Sequence, residues 1–230
     1  MDIADAFAAA ARSGLAELAD PAKAPEMQAY MKSEMPFRGV PKPARTVLNR
    51  RLTADYPLPN RELFTKAVLT LWREAEFREE RYAALDLAGH RAYARWQDSS
   101  LLPLYDELVV TGAWWDFVDE IAIRRIGPIL RAEPAALTPK MRKWARDADR
   151  WRRRTSVICQ VGAKAGTDTE LLTHTIEANI DDPDFFLRKG IGWALREYTK
   201  TNPGWVRLFV ETHPGLSGLS RREALKHLSD

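Results

Sequence analysis

The 230-residue chain contains one cysteine, Cys159, set between Ile158 and Gln160 in an apolar stretch. A single thiol excludes an internal disulfide framework and a cysteine-based zinc site, and it fits a reducing, cytoplasmic setting. Cys159 reads as a small core residue rather than a nucleophile. The four histidines, His90, His174, His213 and His227, show no ligand spacing, so neither a metal nor an organic cofactor is expected. No run of eighteen apolar residues occurs, and no membrane span is expected. Met1-Asp2-Ile3-Ala4-Asp5 places no basic residue ahead of its apolar run and does not read as a secretory signal. Charge of one sign is also lacking. Lys+Arg 35 stand against Asp+Glu 32, a net +3 that permits a nucleic-acid partner without arguing for one.

Strand-like alternation bounded by turns is scarce too; what the chain has instead is helix. Its 45% hydrophobic content is enough for a sizeable core, and its length suits one compact domain or a short solenoid, read here as a single domain over 1–230. Thr138-Pro139, Asp182-Pro183 and Asn202-Pro203 each place a capping residue before a proline, a helix-start signal. Ser220 with Glu223 reads as a capping box. Leu63/Phe64, Ala67/Val68 and Leu71/Trp72 recur at helical spacing, as do Trp144, Ala148, Trp151, Thr155 and Ile158. Pro36–Pro43 and Ala132–Pro139 read as connections. The expected fold is all-α, a HEAT- or armadillo-like solenoid of stacked helical pairs, with a compact bundle as the alternative.

Three constellations carry chemistry. Trp193 projects away from the stripe Leu187, Ile191, Leu195 and Tyr198, beside Lys189 and Glu197; it either bridges to a neighbouring helix or awaits a ligand. Trp115 and Asp119, four apart in Trp114-Trp115-Asp116-Phe117-Val118-Asp119, share a helix face, while Trp114 and Val118 pack inward. An aromatic plate beside a carboxylate can hold a cationic group, although a capping or salt-bridged aspartate beside a core aromatic reads equally well. From Lys140 to Arg154, eight positive charges fall in fifteen residues, against Asp147 and Asp149. Lys143, Arg146, Arg150 and Arg154 would form one stripe down a helix, suited to nucleic-acid phosphates or to a solvated face. The intervals Trp115 to Arg154 and Arg154 to Trp193 are both 39 residues, which a repeat of roughly 40 would place on one concave surface.

These strings resemble the AlkD-like DNA alkylation repair family. Trp114 to Asp119 is similar to its WWDxVD core. Phe185-Phe186-Leu187-Arg188-Lys189-Gly190-Ile191-Gly192-Trp193-Ala194-Leu195-Arg196-Glu197-Tyr198 is similar to its long C-terminal signature, with Gly190 where the family commonly has alanine. Thr201-Asn202-Pro203, Leu219 to Lys226, Met27 to Lys32 and Phe37-Arg38-Gly39-Val40 extend the likeness from about Pro21 to the C-terminus, with Arg38 and Pro41-Lys42-Pro43 departing from the entry pattern. The resemblance implies a HEAT-like solenoid whose concave basic face holds duplex DNA containing alkylated bases. It further implies a monomeric, cofactor-free, nucleoid-associated glycosylase that hydrolyses the N-glycosidic bond of 3-alkyladenine and 7-alkylguanine without strand cleavage. Carried over position by position, the catalytic residues would be Asp119, Trp115, Trp193 and Arg154. Tyr30, Lys143, Arg146, Arg150, Arg154 and Lys189 would bind DNA, with Arg154 gripping a phosphate. A non-catalytic DNA-binding module and a protein–protein scaffold are the alternatives; a retained Asp119 facing a phosphate backbone argues against the first.

Overall fold

The computed structural model describes residues 2–228 and is all-helical. Its helices cluster into two compact units, the first ending at Trp96 and the second beginning at Gln97. Among the described residues no helix is long and apolar enough to cross a membrane.

In the first unit, α1 (Ile3–Glu17) starts at Asp2, whose carboxylate accepts the Ala4 and Asp5 N–H groups and completes a capping box with Asp5. Alanines and Phe7 line its inner face, which packs on α4 (Arg61–Arg73). There the predicted periodicity holds: Phe64, Ala67, Val68, Leu71 and Trp72 are all buried. α2 (Ala24–Met31) and α3 (Lys42–Asp55) flank the proline-rich segment, and α3 and α5 (Arg78–Ala88) pack on each other and on α1. Glu79, wholly buried, accepts the N–H groups of Arg38, Gly39 and Val40, so an irregular loop has its orphan donors satisfied by one carboxylate.

The second unit runs α6 (Leu102–Gly112), α7 (Trp115–Ile121), α8 (Gly127–Ala132), α9 (Pro134–Trp144), α10 (Arg150–Ile158), α11 (Thr169–Glu177), α12 (Phe185–Thr199), α13 (Pro203–Thr212) and α14 (Gly218–Leu225). Short connections and packing between neighbours along the chain are what a helical-repeat fold requires. α7 passes into α8 through a π-helical turn, Ala122–Ile126. Pro128 lies just beyond it and has no N–H to continue the α pattern. Gly127 sits where a β-carbon would lie 2.3 Å from the Cys159 carbonyl oxygen, so α8 and the end of α10 approach more closely than alanine would permit. Cys159 itself is a buried free thiol. An apolar cluster including Val157, Ile158, Ile191, Leu195, Val206 and Phe209 unites α10, α12 and α13.

Several expected helix starts move. Asn202 caps α13 as predicted, accepting the Trp205 N–H at 3.0 Å with Pro203 in the first turn. Asp184, not Asp182, caps α12, so Pro183 precedes the helix. Pro139 lies inside α9, and the connection expected over Ala132–Pro139 reduces to Glu133 because Pro134 already opens the helix. Ser217, not Ser220, caps α14; Ser220 is buried with its hydroxyl donating to the Arg188 carbonyl, and Glu223 serves Lys189 and Arg196 instead.

Candidate DNA-facing site

Trp114 caps α7 with an extended backbone, so the two adjacent tryptophans diverge as the helix begins. The Trp114 ring packs on Trp151 and Phe186, at centroid distances of 6.4 and 5.5 Å, and so faces inward as expected. Trp115 opens α7, and Asp119 follows one turn later; both are half-buried. The turn after that is the π segment, a feature enriched at functional positions in helices.

Asp119 is held by Arg154 of α10. The guanidinium presents Nε to Oδ1 and Nη2 to Oδ2, both at 2.8 Å, while Nη1 donates to the Phe186 carbonyl at the head of α12. This fork therefore ties α7, α10 and α12 together, and α10 packs directly against the other two. Residues separated by 39 positions thus fall on α7, α10 and α12, which Arg154 links. Trp193 is half-buried, with part of its ring packed on the apolar cluster of this unit. Arg154 is 4% exposed, and three of its five N–H donors serve Asp119 and the Phe186 carbonyl. Burial pushes the Asp119 carboxyl above the ordinary carboxylate range; the Arg154 hydrogen bond and charge oppose that rise, and Asp116 adds to it. Gly190 faces this fork: a β-carbon there would lie 3.0 Å from Arg154 Nη1, which explains physically why glycine suits this chain.

A family model described as DNA alkylation repair enzyme matches residues 11–228. The chain belongs to that family. Membership gives it a role in DNA repair with DNA as its partner. It is similar to the solved structure described as a predicted DNA alkylation repair enzyme from Enterococcus faecalis. The two share 30% identity and a TM-score of 0.83, over 92% of this chain and 97% of that one. It also shares its fold with smu.31 from Streptococcus mutans UA159, with 17% identity and a TM-score of 0.60, over 79% of this chain and 91% of that one. No protein of curated function matches.

Within this repair-enzyme chain the basic run does not form one stripe. α9 ends at Trp144, residues 145–149 turn, and Asp149 caps α10, so Lys143 and Arg146 are separated from the helix that carries Arg150 and Arg154. Carboxylates, most of them distant in sequence, neutralise most of the run's arginines. Arg142 pairs with Glu170, Arg150 with Asp184, Arg152 with Asp106 and Asp147, and Arg153 with Asp182. Lys143 and Arg146 are exposed and have no ion pair among the described residues. Lys189 pairs with Glu223 at 2.6 Å. Tyr30 is 76% exposed on α2 of the first unit.

Sequence reasoning missed the aromatic platform beside the fork. Trp151 and Phe186 lie 5.1 Å apart, Arg150 stands over both rings, and Phe185, 53% exposed, meets Phe186 edge-on. The signal was the doubled phenylalanine directly after the Asp184 cap, one side chain turned in and the next left out. Among the described residues no group of three or more His, Cys, Asp or Glu could hold a metal ion.

Proposed function

We propose that the chain is a monofunctional DNA glycosylase that hydrolyses the N-glycosidic bond of cationic alkylated purines in duplex DNA. The observation that supports this reading best is the Asp119 carboxylate, mostly buried yet oriented at two points by Arg154, one helical turn from Trp115. Arg154 occupies two of the carboxylate's roughly four lone-pair directions, leaving the others for a sugar cation and a water.

Alkylation at a purine ring nitrogen makes the base a good leaving group, so no acid is needed to protonate it. The C1′–N bond breaks, and its electron pair neutralises the departing base. Positive charge develops on the sugar ring and is stabilised by ionised Asp119, whose field is stronger where water is excluded. A water adds to C1′ and releases its proton to Asp119 or solvent; the products are a free base and an abasic site in an unbroken strand. Trp115 and Trp193 flank the lesion nucleotide with their π-faces. Lys143 and Arg146 supply unpaired cations for the backbone, with Tyr30, Arg150 and Lys189 as further contacts.

The test is release of 7-methylguanine from methylated duplex DNA by wild type and Asp119→Asn. We expect release by the wild type and a fall of at least about a hundredfold in the variant, the scale of losing one preorganised electrostatic group, with duplex binding retained. Binding without release by either protein would replace this reading with that of a non-catalytic DNA-binding module.

A further inference from the structure

The first unit carries a cationic face that the Asp119 site does not use. α3 buries Arg45, Leu48, Asn49, Leu52 and Thr53 along one side. Its opposite side exposes Lys42, Thr46, Val47, Arg50 and Arg51. Between Lys42 and Arg51 the sequence places four cations and no carboxylate. The buried one, Arg45, is paired with Asp86 at 2.6 Å. The exposed three have no ion pair among the described residues, in contrast to the arginines of α10.

A second element extends the face. α5 ends at Gly89, and His90 leads into a 3-10 turn, Arg91–Trp96, on which Arg91 and Arg95 are exposed. The His90 ring accepts the Ala92 N–H at Nδ1, at 3.3 Å. Its own burial, then the charges of Arg91 and Arg50, hold the His90 imidazole below its usual pKa. α3 packs on α5, the helix that leads into this turn. Unpaired guanidiniums on neighbouring elements repel one another, a cost that a bound polyanion relieves. From Lys42 to Arg51 the face spans roughly 13 Å of helix, and a duplex presents a charge about every 1.7 Å of axis, so several phosphates can meet it together.

We infer that Arg50, Arg51 and Arg91 form a second, sequence-independent contact of this chain with the backbone phosphates of duplex DNA. The inference rests on DNA being the partner, and its chemistry is that of arginine with phosphate. It is tested by measuring the affinity of the full chain for an undamaged duplex across a series of potassium chloride concentrations. Wild type, Arg50→Ala/Arg91→Ala and Arg50→Lys/Arg91→Lys are compared. The alanine pair should flatten the plot of log affinity against log salt by about 0.9 for each phosphate it ceases to neutralise, roughly two in all, with an unchanged melting temperature; the lysine pair should restore most of the slope. A wild-type slope and affinity in the alanine pair would overturn the inference while leaving base release, measured on the same proteins, to stand. Binding with the expected slope change but no base release would instead sink only the glycosylase reading. A wild type that binds no duplex would overturn both.

Discussion

Arg154 and Asp119 are each largely out of water, at 5% and 15% side-chain exposure, so the carboxylate does not tolerate the removal of its cation. Arg154→Ala leaves a buried carboxylate unpaired and should lower stability by about 3–5 kcal/mol, read as a fall in Tm accompanied by loss of base release; a variant that melts with the wild type would refute this account. pH acts on the same group. The proposed chemistry uses ionised Asp119, whose pKa is raised above 3.8 by burial, so the acid limb of kcat/KM should lie above that value, and activity should fall as pH drops through it. The sign for stability is opposite. A carboxyl that holds its proton more tightly folded than unfolded favours the fold below 3.8 and loses that contribution as pH rises through the folded pKa. A pH–rate profile with its acid limb at or below 3.8 would contradict the first expectation. The local pair Trp115 and Asp119 was legible in the sequence because four-residue spacing defines a helix face. Its partner was not: sequence reasoning assigned Arg154 to a DNA phosphate, since a salt bridge across 35 positions leaves no periodic mark.

At the level of elements, α10 depends on how it begins. Asp149 accepts the Trp151 and Arg152 N–H groups at 2.9 Å each, and Asp147 turns the chain into it by accepting the Asp149 N–H. Asp149→Ala should cost about 1 kcal/mol, and because α10 positions Arg154, base release should decline together with Tm; unchanged values of both would show that the cap is dispensable. Gly127→Ala should cost about 1–3 kcal/mol by driving a β-carbon toward the Cys159 carbonyl, and thermal unfolding reads it directly. The break between α9 and α10 illustrates what the sequence concealed. Arginine, lysine and tryptophan form good helix throughout Lys140–Arg154, and their periodicity masked the Asp-Ala-Asp start signal at 147–149. Pro139 misled in the opposite direction: it resembled a beginning, but Pro134 had already supplied one. By contrast, the Phe64–Trp72 face of α4 was readable because its apolar residues alone determine which side turns inward.

Across the whole molecule, most arginines of α10 are neutralised within the fold, and the unpaired cations proposed here for DNA are Lys143 and Arg146 in the second unit and Arg50, Arg51 and Arg91 in the first. About five phosphate contacts give a salt slope near −4.5, and duplex binding measured across salt concentrations should return a value between about −3 and −5; a slope near −10 would mean that the internal pairs open on DNA. The all-helical class was legible because strand patterns are scarce and helix starts recur along the chain. The carboxylates that offset the basic run, Asp106, Glu170, Asp182 and Asp184, come from other parts of the fold and are assembled only by packing.

Cys159 lies behind α10, donating to the Ser156 carbonyl at 3.3 Å, with its thiol pushed up to about 12 by burial. The thiol therefore stays protonated at neutral pH, and Cys159 is wholly buried. A repair protein that moved the alkyl group onto its own sulfur would be consumed by its first lesion. That route of self-sacrifice is closed to Cys159, and the hydrolysis proposed above spends water rather than protein.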